Sequence, residues 1–129
     1  MKKYVKWAAA IAVVGALAGC SSTVPIAIIH STITTSPTEA QVRSAIMNAG
    51  VERRWMMKEE GKGVIVARQQ VRNHNAEVRI NYNESTYSIT YSNSTNLEAA
   101  NGQIHKNYNR WVRNLDKSIK AHLYATAGR

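Results

Sequence analysis

The amino-acid sequence predicts an α+β domain of two layers in the order α-β-β-β-β-α, a four-stranded antiparallel meander with two helices packed on one face. Three patterns carry that expectation. A helix start at Ser36-Pro37-Thr38-Glu39 precedes apolar residues at helical spacing. A period of two then holds from Val51 to Ser92, broken by three short polar turns, and an apolar stripe at spacings of three and four follows. Elements with one apolar face need a second layer to cover it, so the helices are paired with the sheet.

The first helix is expected over residues 37–49. Ser36 stands at the N-cap, Pro37 at the first helical position and Glu39 three residues after the cap, a capping box with a proline that lacks the N–H it would otherwise leave unpaired. Ala40, Val42, Ala45, Ile46 and Ala49 recur along one narrow face of small residues, and Gly50 is a natural stop. Four extended runs follow at 52–59, 64–71, 76–83 and 86–92. Gly61-Lys62-Gly63, Asn73-His74-Asn75 and Asn83-Glu84-Ser85 supply the turns between them, and turns this short join antiparallel neighbours.

Alternation assigns the faces. Ala76, Val78, Ile80 and Tyr82 fall on one side with Tyr87, Ile89 and Tyr91, joined by Ile65 and Ala67. The other side is wet: Arg68, Gln70, Arg72, Arg79 and Asn81 share it with Ser88, Thr90 and Ser92. Trp55 and Met57 are the core residues expected of the first strand. After a polar stretch anchored by Leu97, the stripe Ile104, Tyr108, Trp111, Leu115, Ile119 and Leu123 marks a second helix of about twenty residues. Its opposite face carries Lys106, Arg110, Arg113 and Lys117, Asp116 is placed to pair with Lys120, and residues 125–129 read as a frayed tail.

Upstream of the domain the chain carries an address. Lys2, Lys3 and Lys6 precede an uncharged run from Trp7 to Ala18, and Leu17-Ala18-Gly19-Cys20 has the form of a lipobox. The run is too short for a membrane span of about 20 residues, and small residues before Cys20 suit a peptidase, so residues 1–19 read as a cleaved lipoprotein signal. Cys20 is the one cysteine of the 129 residues, an odd thiol for an exported chain unless lipid modifies it, palmitate among the acyl groups expected. More than one acyl chain, at about 0.8 kcal/mol per buried methylene, anchors stably. Ser21 stands where an aspartate commonly retains lipoproteins at the inner membrane, which favours the outer membrane, facing the periplasm. Residues 20–36 read as a lipidated tether rich in Ser and Thr, with an apolar patch around Ile26, Ile28 and Ile29 that lies either against the domain or at the membrane interface. Residues 37–124 then form the single α+β domain.

Removal of the three signal lysines leaves 14 basic residues against 8 acidic, a balance of +6. Such a balance favours acidic partners, and export argues against nucleic acid. The run Ile104-His105-Lys106-Asn107-Tyr108-Asn109-Arg110-Trp111, continued through Ile119, together with Asn73-His74-Asn75-Ala76-Glu77-Val78-Arg79-Ile80-Asn81-Tyr82, resembles a family of small proteobacterial lipoproteins of uncharacterised function. The likeness spans residues 39–123; it implies export and this domain, and brings no catalytic residue.

Chemistry-bearing patterns are sparse. A cysteine nucleophile is excluded if Cys20 is acylated. His30, His74, His105 and His122 lack a short ligand spacing, so no metal is expected, and no cofactor fingerprint is present. Glu59 and Glu60 are adjacent in sequence and point to opposite faces of a strand. The aromatics Trp55, Tyr82, Tyr87, Tyr91, Tyr108 and Trp111 fall on core stripes. The expectation is a non-enzymatic, membrane-anchored binding module that engages an envelope protein through Arg68, Gln70, Arg72, Arg79 and Asn81, or through a sheet edge. The alternatives are direct binding of peptidoglycan or lipopolysaccharide through the same basic face, and a small hydrolase with acids assembled from distant strands.

Overall fold

The computed structural model describes residues 22–127; the signal segment and Cys20 lie outside them. The architecture is α+β, with two helices, a five-stranded antiparallel sheet and a small two-stranded one. In chain order the elements are β1 (Thr23–Pro25), β2 (Ile29–Thr32), α1 (Glu39–Glu52), β3 (Met56–Gly61), β4 (Val64–Val71), β5 (His74–Tyr82), β6 (Thr86–Thr95), β7 (Gln103–His105) and α2 (Lys106–Ala127). The large sheet runs β2-β6-β5-β4-β3, and β1 pairs with β7.

The expected meander is present as β3 to β6, but the sheet has five strands and not four. The fifth comes from the segment expected to be a tether. Ile29–Thr32 pairs antiparallel with β6, Ile29 opposite Ile89 and Thr32 opposite Thr86. Thr23–Pro25 pairs with β7, Thr23 opposite His105. Of the two destinations open to the Ile-rich patch, Ile26 and Ile29 take the first, packing against the core.

Helix α1 begins two residues later than expected. Thr38 is its N-cap: its hydroxyl accepts from Gln41 N–H at 3.1 Å, and Gln41 Oε1 accepts from Thr38 N–H at 2.9 Å. Ser36 instead takes a left-handed conformation, φ 54°, and Pro37 is buried ahead of the helix. Gly50 lies inside the helix and does not end it. A Cβ there would fall 2.1 Å from Met57 Sδ, so glycine admits the close approach of β3. The stop comes at Arg54, φ 67°, with Trp55 N–H on Gly50 O and Arg54 N–H on Val51 O, a Schellman closure with arginine where glycine is usual.

One core joins both helices to one sheet face. Val42, Ala45, Ile46 and Ala49 of α1 and Tyr108, Val112, Leu115, Ile119 and Leu123 of α2 pack with Ile65, Ala67, Ala76, Val78, Ile80, Tyr82, Tyr87 and Ile89. The stripe of α2 differs from expectation: Val112 is in the core, Trp111 is half-buried, and Ile104 belongs to β7. Helix α2 continues to Ala127 where a frayed tail is expected, Thr126 Oγ1 donating to His122 O at 2.9 Å. None of the described helices is long and apolar enough to cross a membrane.

Candidate functional site

The sheet face turned away from the helices is the surface on which the sequence concentrates hydrogen-bonding side chains. Strand register arranges it in rows. Met56, Arg68, Glu77 and Asn93 stand across one line, Lys58, Val66, Arg79 and Thr90 across the next, and Val64, Asn81, Ser88 and His30 across a third. Of the five expected residues, Arg68, Gln70, Arg79 and Asn81 share this face. Arg72 does not. It sits in the β4–β5 turn with φ 57°, because the strand pair closes at Val71 opposite His74 and the alternation ends there.

A β-bulge shapes the middle of the face. Val78 opposes Tyr91 and Glu77 opposes Asn93, so Ser92 is the additional residue of β6. Its hydroxyl donates to Glu77 Oε2 at 2.8 Å, while Arg68 Nε donates to Oε1 at 2.7 Å. The bulge therefore builds a Ser92–Glu77–Arg68 bridge across three strands, which simple alternation does not foresee. Two hollows flank the bridge. One is lined by Gln70, Asn75, Asn93 and Thr95, the other by Lys58, Glu60, Val66 and Arg79; Met56, Arg68 and Glu77 border both. At the far end a third hollow collects His30, Thr32, Lys62, Asn81 and Ser88.

The charges of the face are unevenly satisfied. Arg68 is held by Glu77, whereas Lys58 and Arg79 have no ion pair among the described residues. Glu77 is held below the usual carboxylate range, first by the Ser92 hydroxyl and next by Arg68, both of which favour the anion. In the unfolded chain Glu77 takes up its proton at higher pH. The stability it contributes is therefore complete above the ordinary carboxylate pKa and is lost as pH falls through the depressed one. Glu77→Gln is expected to remove that part of the acid sensitivity, flattening the dependence of the urea midpoint on pH below about pH 4.5. Parallel curves for wild type and variant would show that the bridge does not couple to folding.

Other titratable groups are dispersed. The four histidines occupy separate elements. His74 Nδ1 lies 2.8 Å from Asn96 O, His105 Nδ1 accepts from Asn107 N–H at 3.1 Å, and His122 Nε2 is 3.4 Å from Glu52 Oε2. Glu59 pairs with Arg43 of α1 at 3.0 Å, while Glu60 borders the open face. Where α1 ends against α2, Ser118, Glu52 and His122 come together, yet the order is not that of a nucleophile and its base. Ser118 Oγ accepts from Arg53 Nε at 2.7 Å and meets Glu52, whose carboxyl is lowered first by that contact, and His122 touches the far side of Glu52. The cluster clamps the two helices. The expected aromatic set is largely core, with Trp55, Tyr82, Tyr87 and Tyr108 buried and Tyr91 edge-on to Tyr108 at 5.6 Å.

Asp116 pairs with Lys120 as the sequence suggests, but its burial against Tyr87 and the role of Asn109 are not foreseen. Asn109 brackets the chain between β1 and β2, Nδ2 donating to Pro25 O at 2.9 Å and Oδ1 accepting from Ala27 N–H at 3.0 Å. Asp116 accepts from the Tyr87 hydroxyl at 2.5 Å as well as from Lys120 Nζ at 2.8 Å. The available signal is positional. Asn109, Val112, Asp116, Ile119 and Leu123 recur at spacings of three, four, three and four along the buried side of α2, so spacing alone marks the two polar residues as inward-facing.

Neither protein-family models nor curated proteins give a match to the chain.

Proposed function

We propose that the chain is a non-enzymatic binding module, held by lipid on Cys20 at the outer membrane and facing the periplasm, that grips a segment of an envelope protein across its open sheet face. The observation that carries this reading is the composition of that face. Hydrogen-bonding side chains, the half-buried Val64 and Val66, and Met56 at 61% exposure surround a neutralised Arg68–Glu77 pair, with Arg79 and Lys58 left to select acidic groups. Such mixed lining suits a peptide.

A peptidoglycan or lipopolysaccharide surface calls for a different face, with several unpaired cations or aromatic rings for stacking. Here one of the two face arginines is already paired, and Tyr82 and Tyr87 of the sheet are committed to the core. The sheet edge supports the protein reading further. Beyond Ile89, β6 has no strand on its outer side among the described residues, which leaves room for an added strand.

A photo-crosslinking residue at Arg79, in the processed chain within its native envelope, tests this. One dominant protein adduct is expected. It should be absent when the crosslinker is moved to Gln41 on the outer side of α1, and reduced about tenfold or more by Lys58→Glu, in line with the loss of a charge contact. Adducts on glycan strands, or equal labelling from both positions, would remove the open face from consideration.

A further inference from the structure

Helix α2 has a second face that the core does not use. At about 100° per residue, Lys106, Arg110, Arg113, Lys117, Lys120 and Tyr124 lie within about 40° of a single line along the helix. All six are exposed, Tyr124 at 79%. Asp116 is the helix's one acidic residue; it is buried beside the stripe and pairs with Lys120. Lys106, Arg110, Arg113 and Lys117 have no ion pair among the described residues, Arg110 bonding only to Asn107. The stripe is thus a row of four cations without an ion pair among the described residues, followed by Lys120, which Asp116 holds, and closed by an aromatic ring.

The chain entering the domain meets this helix at its first turn. Lys106 N–H donates to Ser22 O at 3.3 Å, and β1 pairs with β7 immediately before α2. Cys20 precedes Ser22 by two residues, a reach of about 7 Å when extended. The expected flexible tether is consumed by β1 and β2, so a lipid on Cys20 holds the start of α2 against the headgroups. From there the basic row extends along a helix about 33 Å long.

We propose that the outer face of α2 docks on the anionic phospholipid surface of the membrane that holds the anchor, so that the helix lies flat and the open sheet face is presented away from it. This deepens the reading above and rests on its lipid anchor. Charge complementarity and the short reach from Cys20 select the occupant. The helix layer and the open face are on opposite sides of the domain, so docking one leaves the other free. Tyr124 then takes the interfacial place that amphipathic aromatic rings favour, and lipid plus basic residues form the two-part anchor that holds more firmly than either alone.

The test uses the full chain, processed and lipidated in cells, with Tyr124→Cys carrying an environment-sensitive dye, reconstituted into vesicles of phosphatidylethanolamine with phosphatidylglycerol or of phosphatidylcholine alone. Dye emission is expected to shift to the blue on the anionic vesicles and not on the neutral ones. The shift should be lost in the triple variant Arg110→Glu, Arg113→Glu, Lys117→Glu, and in salt that shortens the screening length from about 10 Å to about 3 Å, while the lipid keeps the protein on the vesicles. In parallel, the unlipidated Cys20→Ser chain should sediment with anionic vesicles, and the triple variant should weaken that partition by at least about a hundredfold, the loss of each basic residue near such a surface accounting for roughly fivefold and the added carboxylates for more. Equal emission on both vesicle types, a shift that survives the triple variant, or preferential capture of the dye-labelled face by polyglutamate over vesicles would overturn the proposal. Mass spectrometry of Cys20 separates the two readings. An unmodified thiol defeats the anchor, and sedimentation of the Cys20→Ser chain still decides the helix face.

Discussion

Asn109→Leu is expected to destabilise the protein by about 2–5 kcal/mol, with the damage concentrated in residues 22–32. The amide is 4% exposed and supplies both a donor and an acceptor where the chain passes from one sheet to the other. Between β1 and β2 the backbone has left one ladder and has not joined the next, so Pro25 O and Ala27 N–H depend on this side chain, with Ile26 N–H served by Gly102 O at 3.0 Å. Leucine keeps the branched outline and satisfies neither group, and each orphaned partner costs about 1–3 kcal/mol. Hydrogen exchange should accelerate first at Ala27 and then along Ile29–Thr32, while β4 and β5 keep their protection. Unchanged exchange at Ala27 would show that the bracket carries no energy. The functional consequence is geometric. Losing β1 and β2 frees more than ten residues of chain and restores the long tether that the sequence suggests, so a lipid on Cys20, as proposed above, would no longer fix the orientation of α2.

The same bracket explains which parts of this fold are legible in the sequence. Alternation reads the core side of β5 and the first half of β6 correctly, since Val78, Ile80, Tyr82, Tyr87 and Ile89 are each fully or nearly buried and their neighbours are wet. Such strands record their surroundings locally, one residue in and one out. β1 and β2 do not. They are three and four residues long, rich in Ser and Thr, and their partners lie far along the chain, Thr23 against His105 and Ile29 against Ile89. Nothing periodic fits in so short a run, and Ser and Thr serve a tether as readily as an edge strand. The capping of α1 is ambiguous for a related reason: Ser36 and Thr38 each head a box, with Glu39 or Gln41 in the third place, and the choice falls to Thr38, where both reciprocal bonds form.

At the open face the legible part is the parity of β4 and β5, which places Arg68, Gln70, Arg79 and Asn81 together. The rest depends on the Ser92 bulge and on the turn at Arg72, where alternation has no authority. The charge of the site changes accordingly. A face of three arginines is expected, and the structure presents one unpaired arginine, one paired with Glu77, and a third moved to the turn. That difference weighs against the alternative of an anionic glycan, and leaves the basic excess of the chain concentrated elsewhere, on α2.

Tyr87→Phe and Tyr108→Phe delete the same atom from two fully buried rings, and opposite results are expected. Tyr87 donates to Asp116 at 2.5 Å and also contacts the Ser31 side chain, so a chain of hydroxyl, phenol, carboxylate and ammonium runs from β2 through β6 to Lys120 of α2. Burial first, and the adjacent Asp116 second, push the Tyr87 phenol well above its ordinary pKa, which keeps its proton on the ring oxygen as a donor throughout the neutral range. Removing the hydroxyl leaves a buried carboxylate with Lys120 alone, and a charge-assisted bond of this kind is worth about 1.5–3 kcal/mol. The Tyr108 hydroxyl is buried without a partner among the described residues, so its loss relieves a desolvation penalty and should leave stability unchanged or raise it by about 1 kcal/mol. Urea midpoints at constant slope measure both. A loss at Tyr108 equal to that at Tyr87 would mean that ring packing, including the edge-on contact with Tyr91, outweighs hydrogen bonding at both places. With the expected contrast, Asp116 is the polar pin that fixes α2 to the sheet, and it does so on the side of the helix that turns the row from Lys106 to Tyr124 outward.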